Sequence, residues 1–382
     1  MANTNTLTQV IPQIMAQALL ALRGFTVMPS LVNPDYGRDA KEHGDTVDVP
    51  IPSAITAQQV SHSNTPPDDA GVIPTKVQIP LDQWWEAPFF LSDKDIADAM
   101  RGTAPMQLNE AVKSIADKIN VSLFGEYTGV YGLEGTAGTT PFGTGVETGS
   151  ATAIRKRLNA QKAPLNDRRA VLDVDAAAAA LGLRAFQDAS YRGDAEGIRE
   201  GQIGRKFGFD WYEDQAVPTH ASTALSAGAA TVNGAHAAGV STVSIAKATN
   251  PSNLVKGDII TFAGDSQTYV VTANVTLAVG NTNVAISPAL QVAKSGGEAM
   301  TLKASHVVNL AFHRDAFALA MRPLAVPDGF TGGNIVRAMV DPLTGMTLRL
   351  EVSRQHKRTR WSIDALWGVK LVRPELATRL AG

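Results

Sequence analysis

No cysteine occurs anywhere in the 382 residues. That excludes disulfides, thiolate nucleophiles and cysteine-based zinc or iron–sulfur sites together, and it suits a reducing compartment. Charge of either sign is no larger in excess: 34 Lys and Arg face 36 Asp and Glu, a net charge of −2. A dedicated nucleic-acid binder would carry a basic domain, and this balance argues against one. No apolar run approaches the roughly 18 residues of a membrane-spanning helix. Residues 7–22 are apolar, but no Lys or Arg precedes Arg23, so the basic segment that opens a secretory signal is missing. The expectation is a soluble, cytoplasmic, multi-domain protein.

Catalytic patterns are missing as well. The histidines are scattered, with His43, His62, His220 and His236 in expected loops and no metal-ligand spacing among them. The Gly143, Gly145, Gly149 run has its third glycine one place too late for a dinucleotide loop, and no strand precedes it. No phosphate-loop or nucleophile-elbow pattern occurs. Asp173 and Asp175 read as the end of a strand and the cap of a helix rather than as an acid–base pair. The chain is therefore expected not to be an enzyme, with no cofactor and no metal.

What is present is organised around one helix, Thr103 to Tyr127. Leu108, Val112, Ile115, Ile119 and Leu123 recur at steps of four and three, while Gln107, Glu110, Lys113, Asp117 and Lys118 fall opposite. Thr103 is its candidate N-cap, Pro105 sits in the first turn and Gly125 marks its end. At 1.5 Å per residue it is a rod of roughly 30 Å.

Before this spine, Leu7, Ile11, Ile14, Met15, Ala18 and Leu22 give an arm helix ending at Gly24. It packs either on its own domain or on a neighbouring subunit or accessory protein. Thr46–Pro52 and Val77–Leu91 read as the two strands of a long ribbon, with a Pro-rich loop between them. Prolines 50, 52, 74, 80 and 88 suit an edge or a free hairpin. Such a ribbon is marginal alone in water, and the sequence offers no internal cover for both Trp84 and Trp85, which point to opposite faces. Ser92–Arg101 reads as a short helix.

After the spine, residues 128–149 read as an irregular loop and Ala151–Gln161 as a helix. Ala170–Val174 is an expected strand, with Asp175 capping a helix over Ala176–Phe186. Residues 200–218 are a glycine-punctuated loop leading into a strand. Residues 219–239 are almost wholly small and polar, and from Val240 short strands alternate with Gly, Asn and Asp turns. That pattern reads as a small inserted barrel or sandwich, whose two ends must lie close together. Val307–Phe312 is an expected strand and Arg314–Met321 an expected helix. Ile335–Val340 and Met346–Val352 form a hairpin, and Arg360–Leu366 and Val369–Val372 are further strands. Trp211, Trp361 and Trp367 are expected in the core. The basic stretch at Arg354, Lys357, Arg358 and Arg360 reads as a solvated turn or an inter-subunit salt-bridge patch, phosphate contact being the other option.

Three stretches carry a family resemblance. Residues 199–210 (REGQIGRKFGFD), 256–264 (KGDIITFAG) and 364–375 (DALWGVKLVRPE) occur in this order. With the sequence of arm, ribbon, spine helix and interrupted α/β domain, they resemble the Hong Kong 97-type fold of tailed-phage major capsid proteins. The inserted β domain makes the chain similar to the coat protein of the short-tailed Salmonella phages. The resemblance implies an α+β subunit divided into an N-terminal arm (1–35), an extended loop or E-loop (36–91) and a peripheral or P-domain with the spine helix (92–169). An axial or A-domain (170–218 and 306–334) would be interrupted by the inserted β domain (219–305), and C-terminal strands (335–382) would close it.

The same resemblance implies a major capsid protein of the virion, assembled in the host bacterial cytoplasm into hexamers and pentamers of an icosahedral shell. A scaffolding protein and a portal protein would be its partners. The precursor shell would expand as double-stranded DNA enters, enclosed without sequence-specific binding, and no membrane would be involved. Trp84, Trp85, Phe89, Phe90, Ile14 and Leu22 are then the expected inter-subunit contacts. Leu108, Val112, Ile115, Ile119 and Leu123 would bind the C-terminal strands within the subunit. The competing reading is a surface-binding module that holds a carbohydrate or protein ligand on the inserted domain.

Overall fold

The computed structural model describes residues 27–34, 46–51, 75–92, 103–187, 203–324, 334–340 and 346–382, with Ala18, Ala57, Gln59 and His62 as single positions. The expected arm helix, with Ile14 and Leu22, lies outside the described residues apart from Ala18. So does the expected short helix beyond Ser92.

One helical turn, α1 (Met28–Leu31), buries Met28, Pro29 and Leu31. Strands β1 (Thr46–Ile51) and β2 (Thr75–Pro80) pair antiparallel from Thr46↔Pro80 to Ile51↔Thr75. Their polar face carries Asp48, which accepts hydrogen bonds from Lys76 Nζ at 2.8 Å and Gln78 Nε2 at 2.9 Å. Val47, Val49 and Ile79, joined by Leu81, pack on Ala318, Ala320, Leu366 and Val372 of the same chain. This part of the ribbon thus has the internal cover that the sequence reading did not find. The expected strand Val77–Leu91 is also two strands. Pro80 fixes φ and removes a donor, the chain breaks at Leu81 and Asp82, and β3 (Gln83–Ser92) runs on in a different sheet.

The spine helix, α2 (Thr103–Gly125), continues into a 3-10 turn at Glu126–Gly129. Next comes β4 (Gly132–Gly135), inside the stretch expected to be irregular. Two of its four residues are glycine and nothing alternates, so only its parallel pairing with the C-terminal strand makes it a strand. Helix α3 (Gly149–Ala160) buries Ala151, Ile154 and Leu158 at helical spacing. Strand β5 (Arg168–Leu172) leads to α4 (Val174–Leu181). Its cap is Asp173, not Asp175: the Asp173 carboxylate accepts from the backbone N–H groups of Asp175 and Ala176, both at 3.3 Å. The helix expected to run to Phe186 stops at Gly182, and a separate turn, α5 (Arg184–Gln187), buries Phe186.

The remaining strands, in chain order, are β6 (Gly204–Lys206), β7 (Phe209–Glu213), β8 (Thr219–His220), β9 (Ala230–Val232), β10 (Thr242–Lys247), β11 (Ser252–Leu254), β12 (Ile259–Phe262), β13 (Tyr269–Val271), β14 (Val275–Leu277), β15 (Gly280–Ser287), β16 (Met300–Leu302), β17 (His306–His313), β18 (Phe317–Arg322), β19 (Ile335–Val340), β20 (Thr347–Gln355), β21 (Arg358–Leu371) and β22 (Ala377–Ala381). The sequence reading made β18 a helix. The structure gives a 3-10 turn at Arg314–Ala316 and then a strand. Phe317, Leu319 and Met321 enter the main core, while Ala318 and Ala320 lie under the ribbon. Ala, Leu and Met favour helices, but burial on both faces overrides that weak preference.

These strands build three principal sheets. The first has the order β4-β22-β17-β5-β7-β6, with β8 also on β17. The second has the order β18-β21-β20-β19, with β3 on β21. Both share the main apolar core with α2, α3 and α4. The third, β16-β12-β13-β15-β10-β9, curls back on itself. A bridge pairs Thr231 with Ala299, Val232 N donates to Glu298 O at 2.9 Å, and Gly297 N donates to Val232 O at 2.8 Å. These bonds join the first strand to the last and close a small barrel, which removes its free edges. The barrel has its own core, including Val243, Ile245, Phe262, Tyr269, Val271 and Val284. Part of the small-residue stretch at 219–239 supplies the closing strand β9. Alanine and threonine serve there because Val232, at its end, is the one bulky residue aimed into the core.

Candidate functional site

Strand β3 brings the predicted aromatic residues together. It pairs with β21 from Gln83↔Trp367 to Ser92↔Arg358. Alternation then sends Trp84 and Phe90 to one face, and Trp85 and Phe89 to the face covered by α2. Trp84 is 62% exposed and Phe90 is 49% exposed. Neither belongs to the β1–β2 ribbon, where the sequence reading put them; they stand on the outer strand of the second sheet. Trp84 Nε1 donates to Asp364 Oδ2 at 2.9 Å, and the Arg349 guanidinium lies 6.0 Å from its ring centroid. Arg349 holds the same carboxylate through Nε, at 2.9 Å, and through Nη2. Phe90 carries the Arg358 guanidinium at 4.6 Å. Between them Glu86 accepts from Arg360 Nη2 at 2.8 Å and from Ser362 Oγ at 2.9 Å. The face therefore presents two outward rings, each beside an arginine, with paired charges between them.

The other two aromatics behave differently. Phe89 stacks on Trp361 of the same chain, with ring centroids 6.2 Å apart and planes 5° apart, and packs against the main core. Trp361 thus covers one side of the Phe89 ring, which is half-buried. Trp85 is partly covered by Lys118 of the spine helix, whose ammonium sits 4.8 Å from the ring centroid.

The spine helix lies across β3 and β21. Val112, Ile115, Ile119 and Leu123 are buried in the main core, and the side chain of Leu108 lies outside the described residues. Asn120, in mid-helix, accepts from Met28 N at 3.2 Å and donates to Asp214 Oδ2 at 2.7 Å, tying α1 and the end of β7 to the helix. At the far end Glu126 accepts from Leu371 N at 3.0 Å. Trp211, Trp361 and Trp367 are all buried. The basic stretch forms the β20–β21 turn, where Arg358 Nε donates to Gln355 Oε1 at 2.7 Å and Arg360 pairs with Glu86.

A second polar centre escaped the sequence reading. His220, expected in a loop, is buried in β8. Its Nε2 lies 2.9 Å from Asp258 Oδ1, and its Nδ1 lies 3.0 Å from the Tyr127 hydroxyl. Arg379, fully buried on β22, donates to Gly257 O at 2.9 Å and lies 5.0 Å from the Tyr127 ring centroid. Burial pulls the Arg379 pKa down to about 9, which leaves it charged at neutral pH. Burial also pulls His306 down to about 4, so that ring is neutral there. Each member is an isolated polar residue in a short strand or turn, up to 252 positions away from its partner, and no spacing rule links them.

A cleft of about 400 Å³ lies along β6 and β7, but its charged pair, Arg205 and Asp210, is engaged with itself at 3.7 Å. Among the described residues no three His, Asp or Glu side chains gather as a metal site, and no helix is long and apolar enough to cross a membrane.

The fold recurs in solved structures. The chain is similar to a structure described as the capsid of the cyanophage P-SCSP1u, at 12% identity and a TM-score of 0.51 over 93% of this chain and 88% of that one. It is similar also to a structure from Mycobacterium phage Che8, at 15% identity and a TM-score of 0.50 over 93% of this chain and 90% of that one. Likeness at this identity establishes a shared fold along nearly the whole length of both chains. No protein-family model matches the sequence, and no curated protein matches it either.

Proposed function

We propose that the chain is a major capsid protein of the Hong Kong 97 type, a subunit that builds an icosahedral shell around double-stranded DNA and has no catalytic role. The observation that carries this reading is the fold shared with the cyanophage capsid structure over 93% of the chain. Its physical support is the outer strand β3. Trp84 and Phe90 are exposed on one face of this strand, and aromatic residues are enriched where chains meet. In this reading Trp84, Phe90 and the exposed part of Trp85 meet a neighbouring subunit, and closed symmetry reuses that contact at every copy. Ile14 and Leu22 of the arm would make a second contact. In this reading the closed barrel within 219–305 would be an inserted domain like that of the short-tailed Salmonella phage coat proteins. A scaffolding protein and a portal protein would be partners in the host cytoplasm, and the shell would expand on packaging.

The competing reading, a phage or cell-surface module that holds a carbohydrate or protein ligand on the barrel, asks in its carbohydrate form for exposed rings there. Phe262 and Tyr269 are its aromatic residues, and both are buried. The test is negative-stain microscopy of the purified protein, alone and with its scaffolding protein, alongside the double variant Trp84→Ala, Phe90→Ala. Closed shells from the parent, and a folded variant that does not assemble, are expected. Monodisperse parent monomers in both conditions overturn the shell reading. Normal shells from the variant overturn the role given to β3.

A further inference from the structure

Along the chain, the barrel is joined to the first sheet by the two-residue strand β8, by which the chain enters it, and by the start of β17, by which it leaves. They pair at His220↔His306 and Thr219↔Val307, and Ser222 and Ser305 bond to each other just beyond. A two-stranded connection is a weak restraint on its own. The apolar contact beside it is small: Ile259 and Val270 of the barrel meet Tyr131, Leu133 and Ala381. Such contact is non-directional and does not by itself choose one orientation. The directional contacts are polar. Thr268 Oγ1 donates to Tyr131 O at 2.7 Å, and the remainder pass through the buried centre around His220.

We propose that Tyr127, His220, Asp258 and Arg379 form a latch that holds the barrel in one orientation on the first sheet, and that acid opens this latch through His306. The members come from the turn after the spine helix, from the entry strand, from the barrel and from the C-terminal strand. The two ring nitrogens of His220 are both engaged, Nε2 with Asp258 Oδ1 at 2.9 Å and Nδ1 with the Tyr127 hydroxyl at 3.0 Å. Asp258 Oδ2 accepts in turn from Val255 N at 2.8 Å. Gly257 is needed for the approach. Its φ is +98°, and a Cβ there would lie 3.2 Å from His220 Cε1.

His306 is the weak point. Its ring lies 5.6 Å from that of His220, and its Nδ1 is 2.8 Å from Ala304 O. Its Nε2 is buried with no hydrogen-bond partner among the described residues, as are Nε and Nη2 of Arg379. The charged and titratable groups facing it are His220 on β8, Asp258 before β12 and Arg379 on β22, with Tyr127 behind them. A proton on Nε2 adds a second cation beside Arg379, and one carboxylate, Asp258, must then serve both. Burial makes that unfavourable, so the barrel swings out to hydrate the pair.

The absence of cysteine makes the test direct. Cysteines placed at the exposed positions Val279→Cys, on the barrel, and Leu165→Cys, on the body, take one spin label each, and dilution with unlabelled chain isolates the distance within one molecule. A single narrow distance distribution is expected at neutral pH. It should broaden in Asp258→Asn at neutral pH, and in the parent as pH falls toward 4. In His306→Gln the acid broadening should move down by about one pH unit or more. If Asp258→Asn does not fold, Tyr127→Phe removes one hydroxyl only and is read by the same criterion. A distribution as narrow as the parent's in the neutral-pH variant, or an acid midpoint unchanged in His306→Gln, overturns the latch.

Discussion

Replacing Gly368 by alanine tests how the ribbon is seated. An added methyl at a glycine with ordinary φ usually stabilises a protein by about 0.4–1 kcal/mol, because the unfolded chain loses freedom. Here the sign should reverse. A Cβ on Gly368 would lie 2.1 Å from Pro80 O and 2.9 Å from Pro80 C, both backbone atoms at the end of β2. A contact with backbone cannot be relieved by a rotamer change. Strand β2 must move by about 1 Å, and forcing atoms into a packed site costs about 1–3 kcal/mol. The movement also lifts Ile79 and Leu81 from Leu366 and Ala320, so the ribbon loosens as a unit. Urea unfolding followed by circular dichroism should show a lower midpoint at unchanged slope. Limited proteolysis should cut faster within residues 46–80. A midpoint at or above the parent's, with cleavage unchanged, refutes the packing of β2 on β21.

Three further outcomes follow from the same packing. Ile119→Ala removes a fully buried side chain of the spine helix and should cost about 2–5 kcal/mol, whereas Val121→Ala, at a position 55% exposed, should stay within about 0.5 kcal/mol; equal denaturant midpoints would falsify the orientation of the helix. Asp173→Ala should cost about 1 kcal/mol through loss of the α4 cap, while Asp175→Ala should cost less, as read by the same unfolding curves. His306 is neutral when folded down to about pH 4 but takes a proton near 6.5 when unfolded. The unfolded chain therefore binds more protons between those values, and stability falls as pH drops through that window, by at most about 3 kcal/mol, with no further loss from this group below it. His306→Gln should flatten that part of the stability–pH curve; an unaltered slope counts against the buried, neutral ring.

Much of the fold could be read from the chain in advance where a periodic pattern met a matching environment. The spine helix is the clearest case. Its stripe of Val112, Ile115, Ile119 and Leu123 and its polar face needed only a sheet on one side and water on the other. The barrel was legible as short alternating strands between turn residues, and so was the hairpin of β19 and β20. Reading failed where the partner, not the segment, decides the structure. Strand β18 has the composition of a helix and is a strand because apolar surface covers both its faces. Strand β4 has no pattern of its own and exists through β22. Trp84 and Trp85 were correctly expected on opposite faces, but their strand belongs to the second sheet because Pro80 ends the ribbon before them.

By itself, then, the sequence determined the absence of thiol chemistry, the even charge, the long amphipathic helix and the β character of residues 240–302. Those properties are local: they depend on composition and on side chains within a few residues of one another. Only the tertiary structure decided which aromatic rings stay outside, how the barrel closes through Thr231 and Ala299, and that Tyr127, His220, Asp258 and Arg379 share one buried centre. Each of these depends on the register between distant strands, where a shift of one residue turns every side chain to the opposite face. No periodicity within a segment carries that information.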